Sequence, residues 1–426
     1  MPNLQNHTKI ENNKKTIIIA LFNNSPCLEN TYQIEELERL INTLGGTVVD
    51  KIIQYKKTID PKFYIGKGKL DFIFKYAIQE KIRYVVINND ISAGQIKNIQ
   101  SFFKDKVLIK DRTGIILDIF QKHARTKEAK TQVKLAQFEY LLPRLTRQLT
   151  HLERQMGGIG TRGGPGETQI EIDRRLVRNQ IIKLKKELLK ISNTRKNQTK
   201  NRQNIFKVSL VGYTNAGKST LMEKISEQKM YIKDELFATL DTNTRKVNLN
   251  KYQSFIISDT VGFIRNLPDN LIASFRSTLS ELIDSDLLLK VIDISSLEYE
   301  EHLNSIENVL NHLSINNKKY IIVFNKIDLL KDKSLIEKAT KLYPGSLFVS
   351  AQENIGIDFI LSTISMIMNK DSINKTIELP YSQLKLINKL YTEFEVLSRS
   401  DQEDIIEFKI SGDKNKINKI ISKIKK

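Results

Sequence analysis

The sequence predicts an α/β protein whose largest part is a P-loop domain with a doubly wound, mostly parallel sheet. A smaller α/β domain and an antiparallel helical hairpin precede it, and a small α+β tail follows. Three observations predict this. Residues from about 206 to 369 alternate apolar, strand-like runs with helical patterns, the arrangement that sandwiches a parallel sheet between helices. Inside that alternation, Gly212-Tyr213-Thr214-Asn215-Ala216-Gly217-Lys218-Ser219 fits G-x-x-x-x-G-K-[ST]. It lies between the apolar run Val208-Ser209-Leu210-Val211 and Thr220-Leu221-Met222, which can open a helix. Two heptad stripes outside it predict the hairpin.

In chain order, the first domain spans 1–125, with strands near 16–22, 47–53, 83–88 and 107–110 and helices near 31–43, 68–80, 92–103 and 112–121. Its Gly66-Lys67-Gly68-Lys69 lacks the full phosphate-loop pattern and reads either as a helix-start turn or as a basic contact point. The hairpin occupies 126–204. Leu135, Phe138, Leu142, Leu145, Leu149 and Leu152 form one stripe, and Val177, Ile181, Leu184, Leu188 and Ile191 form the other. Pro143 is expected to kink the first arm. The joint, Gly157 to Glu167, has six glycines in the ten positions 157–166. Such minimal volume suits a tip that lies against another macromolecule's backbone. Arg154, Arg162, Arg174 and Arg175 frame it, as planar guanidinium groups suited to phosphate.

The P-loop domain spans 205–370. Strands are expected near 206–211, 246–250, 253–258, 286–293, 319–324 and 346–350, and helices near 218–227, 268–282, 300–313, 333–342 and 355–369. The tail, 371–426, suggests strand, helix, two strands and helix, with Ile405 to Ile410 and Ile417 to Ile424 as core.

The motifs at the strands' carboxyl ends define a ligand. Backbone N–H groups of the glycine loop and the helix N-terminus behind it favour phosphate. Lys218 is placed to reach the β- and γ-phosphates, and the Ser219 hydroxyl to ligate Mg²⁺. Thr220 continues the helix. Asn325-Lys326-Ile327-Asp328 then follows an apolar strand. An Asp carboxylate accepts from the N1–H and exocyclic amino group of guanine, whereas adenine would leave it unpaired. Asn325 and Lys326 brace the loops, and Ser350-Ala351-Gln352 fits the loop that contacts the guanine oxygen. Asp259-Thr260-Val261-Gly262 fits D-x-x-G: Asp259 would hold the Mg²⁺ shell through water, and the Gly262 N–H would sense the γ-phosphate.

Phe237-Ala238-Thr239-Leu240-Asp241 lies where a first switch loop belongs. Thr239 is expected to close on Mg²⁺ and the γ-phosphate, with Thr242 and Thr244 as competitors. Lys218, Thr239 and Gly262 are therefore the candidate catalytic residues, and Ser219 and Thr239 the candidate metal ligands. Phe263 stands where many GTPases carry a water-orienting glutamine, so unaided hydrolysis is expected to be slow. Asn215 either ligates K⁺ or caps the turn.

The chain's net charge of +19 is concentrated. Residues 126–204 carry 18 basic and 7 acidic side chains and 9 of the 17 arginines, whereas 205–370 carry 19 basic and 20 acidic. A general lysine excess does not explain clustered arginine, so the hairpin is expected to bind a polyanion. The one cysteine, Cys27, excludes a disulfide framework and is expected to be a small buried residue. Five histidines lack metal spacing, and no apolar run approaches the roughly 18 residues of a membrane span. A cytoplasmic, monomeric protein is expected.

The run Asp111-Arg112-Thr113-Gly114-Ile115-Ile116-Leu117-Asp118-Ile119-Phe120 is followed by Tyr140-Leu141-Leu142-Pro143-Arg144-Leu145. With the glycine loop, Glu167-Thr168-Gln169 and Asp173-Arg174-Arg175, this succession resembles HflX-type GTPases. Gly212 to Ser219, Phe237 to Asp241 and Asp259 to Ile264 also match that family's motifs nearly letter for letter. The likeness covers about 16–370. It implies a GTP hydrolase that binds the ribosome, mainly the large subunit and its rRNA, and splits stalled or idle ribosomes under stress. The glycine loop would enter near the peptidyl transferase centre. By position, the resemblance implies nucleotide contacts at 212–219, 237–241, 259–262, 325–328 and 350–352. Two other readings share the GTP site: a ribosome-assembly GTPase and a tRNA-modification GTPase. The latter would want a cofactor site or reactive thiol, for which Cys27 is a poor candidate.

Overall fold

The computed structural model describes residues 15–23, 25–104, 106–145, 169–199, 205–227, 236–237, 243–250, 252–260, 262–265, 280–315, 317–369, 372–402 and 404–424. The chain divides into two compact units. The first comprises 1–200 with the segments 233–241 and 261–280; the second comprises 201–232, 242–260 and 281–426.

The first unit is built on four parallel strands: β1 (Lys15–Phe22), β2 (Thr47–Tyr55), β3 (Tyr84–Ile87) and β4 (Leu108–Asp111), in the order β2-β1-β3-β4. Between them run α1 (Leu28–Thr43), α2 (Lys67–Gln79) and α3 (Ala93–Phe102), and α4 (Arg112–His123) follows. Ile17, Ile19, Val85 and Ile87 pack with Leu70 and Ile73 of α2, Ile99 of α3 and Phe103 just past its end. Ile18 and Ala20, of opposite parity on the strand, are also fully buried. Helix α2 begins inside Gly66-Lys67-Gly68-Lys69 with Gly66 as its cap, so that motif is a helix start. Cys27 is exposed, contrary to expectation, because it is the residue that precedes the first turn of α1.

The hairpin consists of α5 (Lys127–Leu141) and α6 (Gln169–Thr199). Lys127 pairs with Glu187 at 3.1 Å, while Arg174 donates to the Leu145 carbonyl at 3.2 Å, so the arms run in opposite directions. Leu135, Ile181 and Leu184 form the buried seam, flanked by Phe138, Leu142, Val177 and Leu188. Pro143 is expected to kink the first arm, whose continuation beyond Leu145 lies outside the described residues. The α-helix stops at Leu141, and Leu142–Arg144 forms a single 3₁₀ turn, because proline supplies no N–H to the ladder. Leu149, Leu152, the glycine joint, Arg154 and Arg162 lie outside the described residues.

The second unit carries six strands in the order β10-β9-β8-β5-β7-β6: β5 (Phe206–Gly212), β6 (Asn243–Asn248), β7 (Ser254–Asp259), β8 (Leu287–Asp293), β9 (Lys319–Asn325) and β10 (Leu347–Phe348). All pair in parallel except β6, which runs antiparallel to β7. Helices α7 (Lys218–Ser226), α8 (Ser280–Asp284), α9 (Tyr299–His312), α10 (Ser334–Leu342) and α11 (Ile357–Asn369) complete the alternation. Val208, Leu210, Phe255, Ile257, Leu289, Val291 and Val323 form the sheet's share of the core, with Leu221, Met222, Ile360 and Ile364 from helices. Strand β6 begins earlier than expected and takes in Thr244, opposite Ser258.

The tail forms a separate antiparallel sheet, β11 (Ser372–Pro380), β12 (Glu395–Asp401) and β13 (Ile405–Asp413), ordered β11-β13-β12, with α12 (Ile387–Glu393) and α13 (Lys414–Ile424). Its core includes Ile406, Phe408, Ile410, Ile417 and Ile420, as expected from the isoleucine spacing.

A candidate nucleotide site at the carboxyl ends of the six-stranded sheet

Strand β5 ends at Gly212, where a Cβ would meet the Val291 carbonyl at 2.3 Å, so only glycine lets the strands approach there. The loop then turns through Asn215 (φ +62°) and Gly217 (φ +87°) into α7. A Cβ on Gly217 would sit 2.2 Å from Asn325 Nδ2. Both pattern glycines thus have steric reasons.

Lys218, 6% exposed, donates through Nζ to the carbonyls of Gly212 (3.1 Å) and Tyr213 (2.8 Å). Burial lowers its pKa to about 8, and the Asp259 charge opposes that fall. The buried hydroxyl of Thr214 has no hydrogen-bond partner among the described residues. A coiled lysine, an orphaned hydroxyl and a helix N-terminus fit a polyanionic ligand, which would supply the missing partners.

Ser219 donates to Asp259 Oδ2 at 2.6 Å, and Asp259 is fully buried. These are hard oxygen donors, the kind Mg²⁺ selects. No cluster of three or more His, Cys, Asp or Glu occurs among the described residues, so any Mg²⁺ here would take most of its ligands from phosphate and water. Thr260 anchors the end of β7 by donating to the Leu210 carbonyl at 2.7 Å.

Asn325 joins two loops. Its Nδ2 donates to the Ala216 carbonyl and its Oδ1 accepts from the Ala351 amide, both at 2.9 Å. Lys326 adopts φ +65° and pairs with Asp293 at 2.7 Å. Ile327 opens a 3₁₀ turn that carries Asp328, which is exposed and open to a ligand. Ser350 and Ala351 are buried and Gln352 is exposed. The sheet therefore brings together Gly212 to Thr220, Asp259, Thr260, Asn325 to Asp328 and Ser350 to Gln352. Ala238, Thr239, Leu240, Asp241 and Val261 lie outside the described residues; Phe237 and Gly262 are described and belong to the first unit.

Two residues at this site went unread in the sequence. His302 stacks on Tyr213 (centroids 4.0 Å apart, 18° between planes), and Asp293 holds Lys326. The signal for His302 was its spacing with Tyr299, Leu303 and Ile306 on the buried face of α9, not any metal pattern.

This sheet, phosphate loop and Asn-Lys-x-Asp turn define a P-loop GTPase. Family models match in succession: GTP-binding GTPase N-terminal over 31–121, GTP-binding GTPase middle region over 123–202, and 50S ribosome-binding GTPase over 207–326. The chain is 44% identical to the GTPase HflX of Flavobacterium psychrophilum over 339 residues, covering 78% of this chain and 81% of that one. It is 38% identical to the GTPase HflX of Escherichia coli strain K12 over 361 residues, with 84% of each covered. A solved structure, "crystal structure of SsGBP and GDP complex", aligns at 26% identity and TM-score 0.46 over 83% of this chain and 98% of that one. The chain belongs to the HflX family of ribosome-associated GTPases, and it is a GTP hydrolase.

Proposed function

We propose that this GTPase binds the large ribosomal subunit and its rRNA, hydrolyses GTP there, and splits or rescues stalled or idle ribosomes under stress. The observation that carries the reading is the separation of charge from chemistry. The basic excess and most arginines lie in 126–204, while the guanine-nucleotide motifs lie in a nearly neutral segment. The model match described as a 50S ribosome-binding GTPase points the same way.

In this mechanism Lys218 leaves its two backbone carbonyls for the β- and γ-phosphates, and the loop amides cradle the rest. Asp328 selects guanine, Asn325 holds the two loops around it, and the Ser350-Ala351-Gln352 loop faces the guanine oxygen. Ser219 and Thr239 are the residues that would hold Mg²⁺, with Asp259 behind Ser219, and the ion would supply charge neutralisation for the phosphates. Thr239 and Gly262 sense the γ-phosphate. Phe263, 1% exposed, cannot orient water, so ribosomal contacts complete the catalytic site and speed a slow basal reaction. The exposed side chain of Asn215 is placed to ligate K⁺, which turnover in K⁺ against Na⁺ would reveal. The protein acts as a cytoplasmic monomer. No helix among the described residues is long and apolar enough to cross a membrane.

Sedimentation of intact ribosomes tests the proposal. Protein with GTP or a non-hydrolysable analogue should convert 70S particles to subunits, and protein with GDP should not. Binding of precursor particles in preference to 70S would favour assembly instead and overturn the splitting reading.

A further inference from the structure

Helix α4 makes three attachments within the first unit that no nucleotide motif explains. At its N-terminus the fully buried Asp111 caps the helix by accepting from the Gly114 amide at 2.8 Å. The same carboxylate accepts from Tyr140 Oη at 2.6 Å and from Arg144 at 2.9 Å, and the Arg144 guanidinium lies 3.7 Å from the Tyr140 ring centroid. Tyr140 lies in the last turn of α5, the hairpin's first arm, and Arg144 in the 3₁₀ turn that follows it. Gly114 allows the approach, since a Cβ there would lie 3.1 Å from Tyr140 Oη.

The next residue, Arg112, is 6% exposed and pairs with Glu36 at 3.1 Å. It also donates to Asn88 Oδ1 and to the backbone carbonyl of Arg265, both at 3.3 Å. Arg265 is three residues past Gly262, in the segment after the D-x-x-G motif that is expected to answer the γ-phosphate as a second switch loop. At the other end of α4, His123 Nδ1 lies 2.7 Å from the Phe237 carbonyl, to which it donates. Phe120 packs edge-on against Phe237, with centroids 4.7 Å apart and 79° between planes. Phe237 is 2% exposed at φ +57°, a backbone conformation that a bulky residue holds only when its surroundings impose it. Thr239 follows two residues later.

One helix of 12 residues, about 18 Å long, therefore grips the first switch loop at one end and the second at the other. Its N-cap grips the C-terminal end of the hairpin's first arm. We infer that α4 is the element through which the nucleotide loops and the hairpin act on each other, with Arg112, Phe120 and His123 as positioning residues for the loops and Asp111 as the link to Tyr140 and Arg144. Packed interiors move between discrete arrangements instead of deforming smoothly. A loop that reorders around a γ-phosphate must either carry α4 with it or break these bonds. The inference rests on the proposed nucleotide-dependent ribosome binding and adds the structural part that transmits it.

The test uses the full chain with two readouts. Without ribosomes, hydrogen exchange of amides 137–142, 144 and 145 is compared between GDP and a non-hydrolysable GTP analogue. The wild type should differ between states, and His123→Ala should not, with nucleotide affinities changed less than about twofold. His123→Asn, which keeps a donor near the Nδ1 position, should retain the difference, and Phe120→Leu should weaken it. With ribosomes, the ratio of affinities in the two nucleotide states should fall about fivefold or more in His123→Ala, a usual size for allosteric coupling. Exchange that ignores nucleotide in the wild type, or a ratio that survives His123→Ala, overturns the role of α4. Exchange that responds while wild-type ribosome affinity ignores nucleotide overturns the proposed function instead. Should His123→Ala not fold, Phe120→Leu and His123→Asn supply the same comparison.

Discussion

The Ser219 hydroxyl donates to a carboxylate oxygen of Asp259 across 2.6 Å, joining the end of the phosphate loop to the end of β7. A metal ion drawn to the serine oxygen would keep that carboxylate as its outer partner, orienting the ligand and accepting from bound water. Asp259→Ala should raise the Mg²⁺ concentration for half-maximal GTP turnover by about tenfold or more, the usual cost of losing such a partner. A Mg²⁺ titration of steady-state hydrolysis checks it. An unchanged midpoint would show that Asp259 serves only to fix the loop.

Lys218 makes a prediction with a definite sign. Burial holds its pKa near 8 in the fold, well below the ordinary lysine value. Between about pH 8 and 10.5 the unfolded chain binds this proton and the fold does not, so the stability of the free protein should rise with pH across that window. Phosphates restore the charge, so GTP binding above pH 8 should take up a proton and weaken by up to about tenfold per unit. Calorimetry at pH 8.5 in buffers of different ionisation heat would read the uptake. Lys218→Arg, whose guanidinium stays protonated, should abolish it.

Asn325 and Gly217 should prove coupled. Asn325→Ala removes the bonds to Ala216 and Ala351 and leaves two backbone groups short of partners, at a cost of about 2 kcal/mol and with weaker GDP binding. Gly217→Ala pushes a methyl into Asn325 Nδ2 at a positive φ and breaks the same joint. In the double variant the Gly217 substitution should cost less than in the native background. Thermal unfolding of the four proteins gives the cycle, and strict additivity would mean that the two substitutions act separately.

The parts legible in the sequence were those where one side chain or one spacing has a single physical use. Gly212, Gly217 and Lys218 could be read because strand, turn and helix start fall within a few residues, and the hairpin because its stripe repeats over many turns. Edges and partners were harder. Asn243 to Asn248 is a polar strand at the rim of the sheet, half open to water, so its apolar pattern is weak and its start was misplaced. Pro143 was recognised as a disturbance, but ending a helix and bending it demand the same residue. The chemistry of Cys27 suits a core, whereas its place at a helix start leaves it exposed. The Tyr213–His302 stack joins residues 89 positions apart, and local periodicity carries no record of which distant ring a buried histidine meets.

Asp328 offers a test of base choice that does not depend on catalysis. Its exposed carboxylate, carried on the turn after Asn325 and Lys326, accepts from two guanine donors in the proposed site. Asparagine there would keep one acceptor and replace the other with an N–H donor. That pair suits xanthine, which has an N1–H and a carbonyl at position 2, and it leaves the guanine amino group facing a donor. Asp328→Asn should therefore lose about a hundredfold or more in affinity for GDP and gain affinity for xanthosine diphosphate. Since Lys326 still holds Asp293 and Asn325 still holds both loops, the fold should be unaffected, and unfolding temperatures of the two proteins should agree. Equilibrium binding of both diphosphates to both proteins decides the matter: a variant that still prefers guanine with undiminished affinity would move base recognition away from this turn.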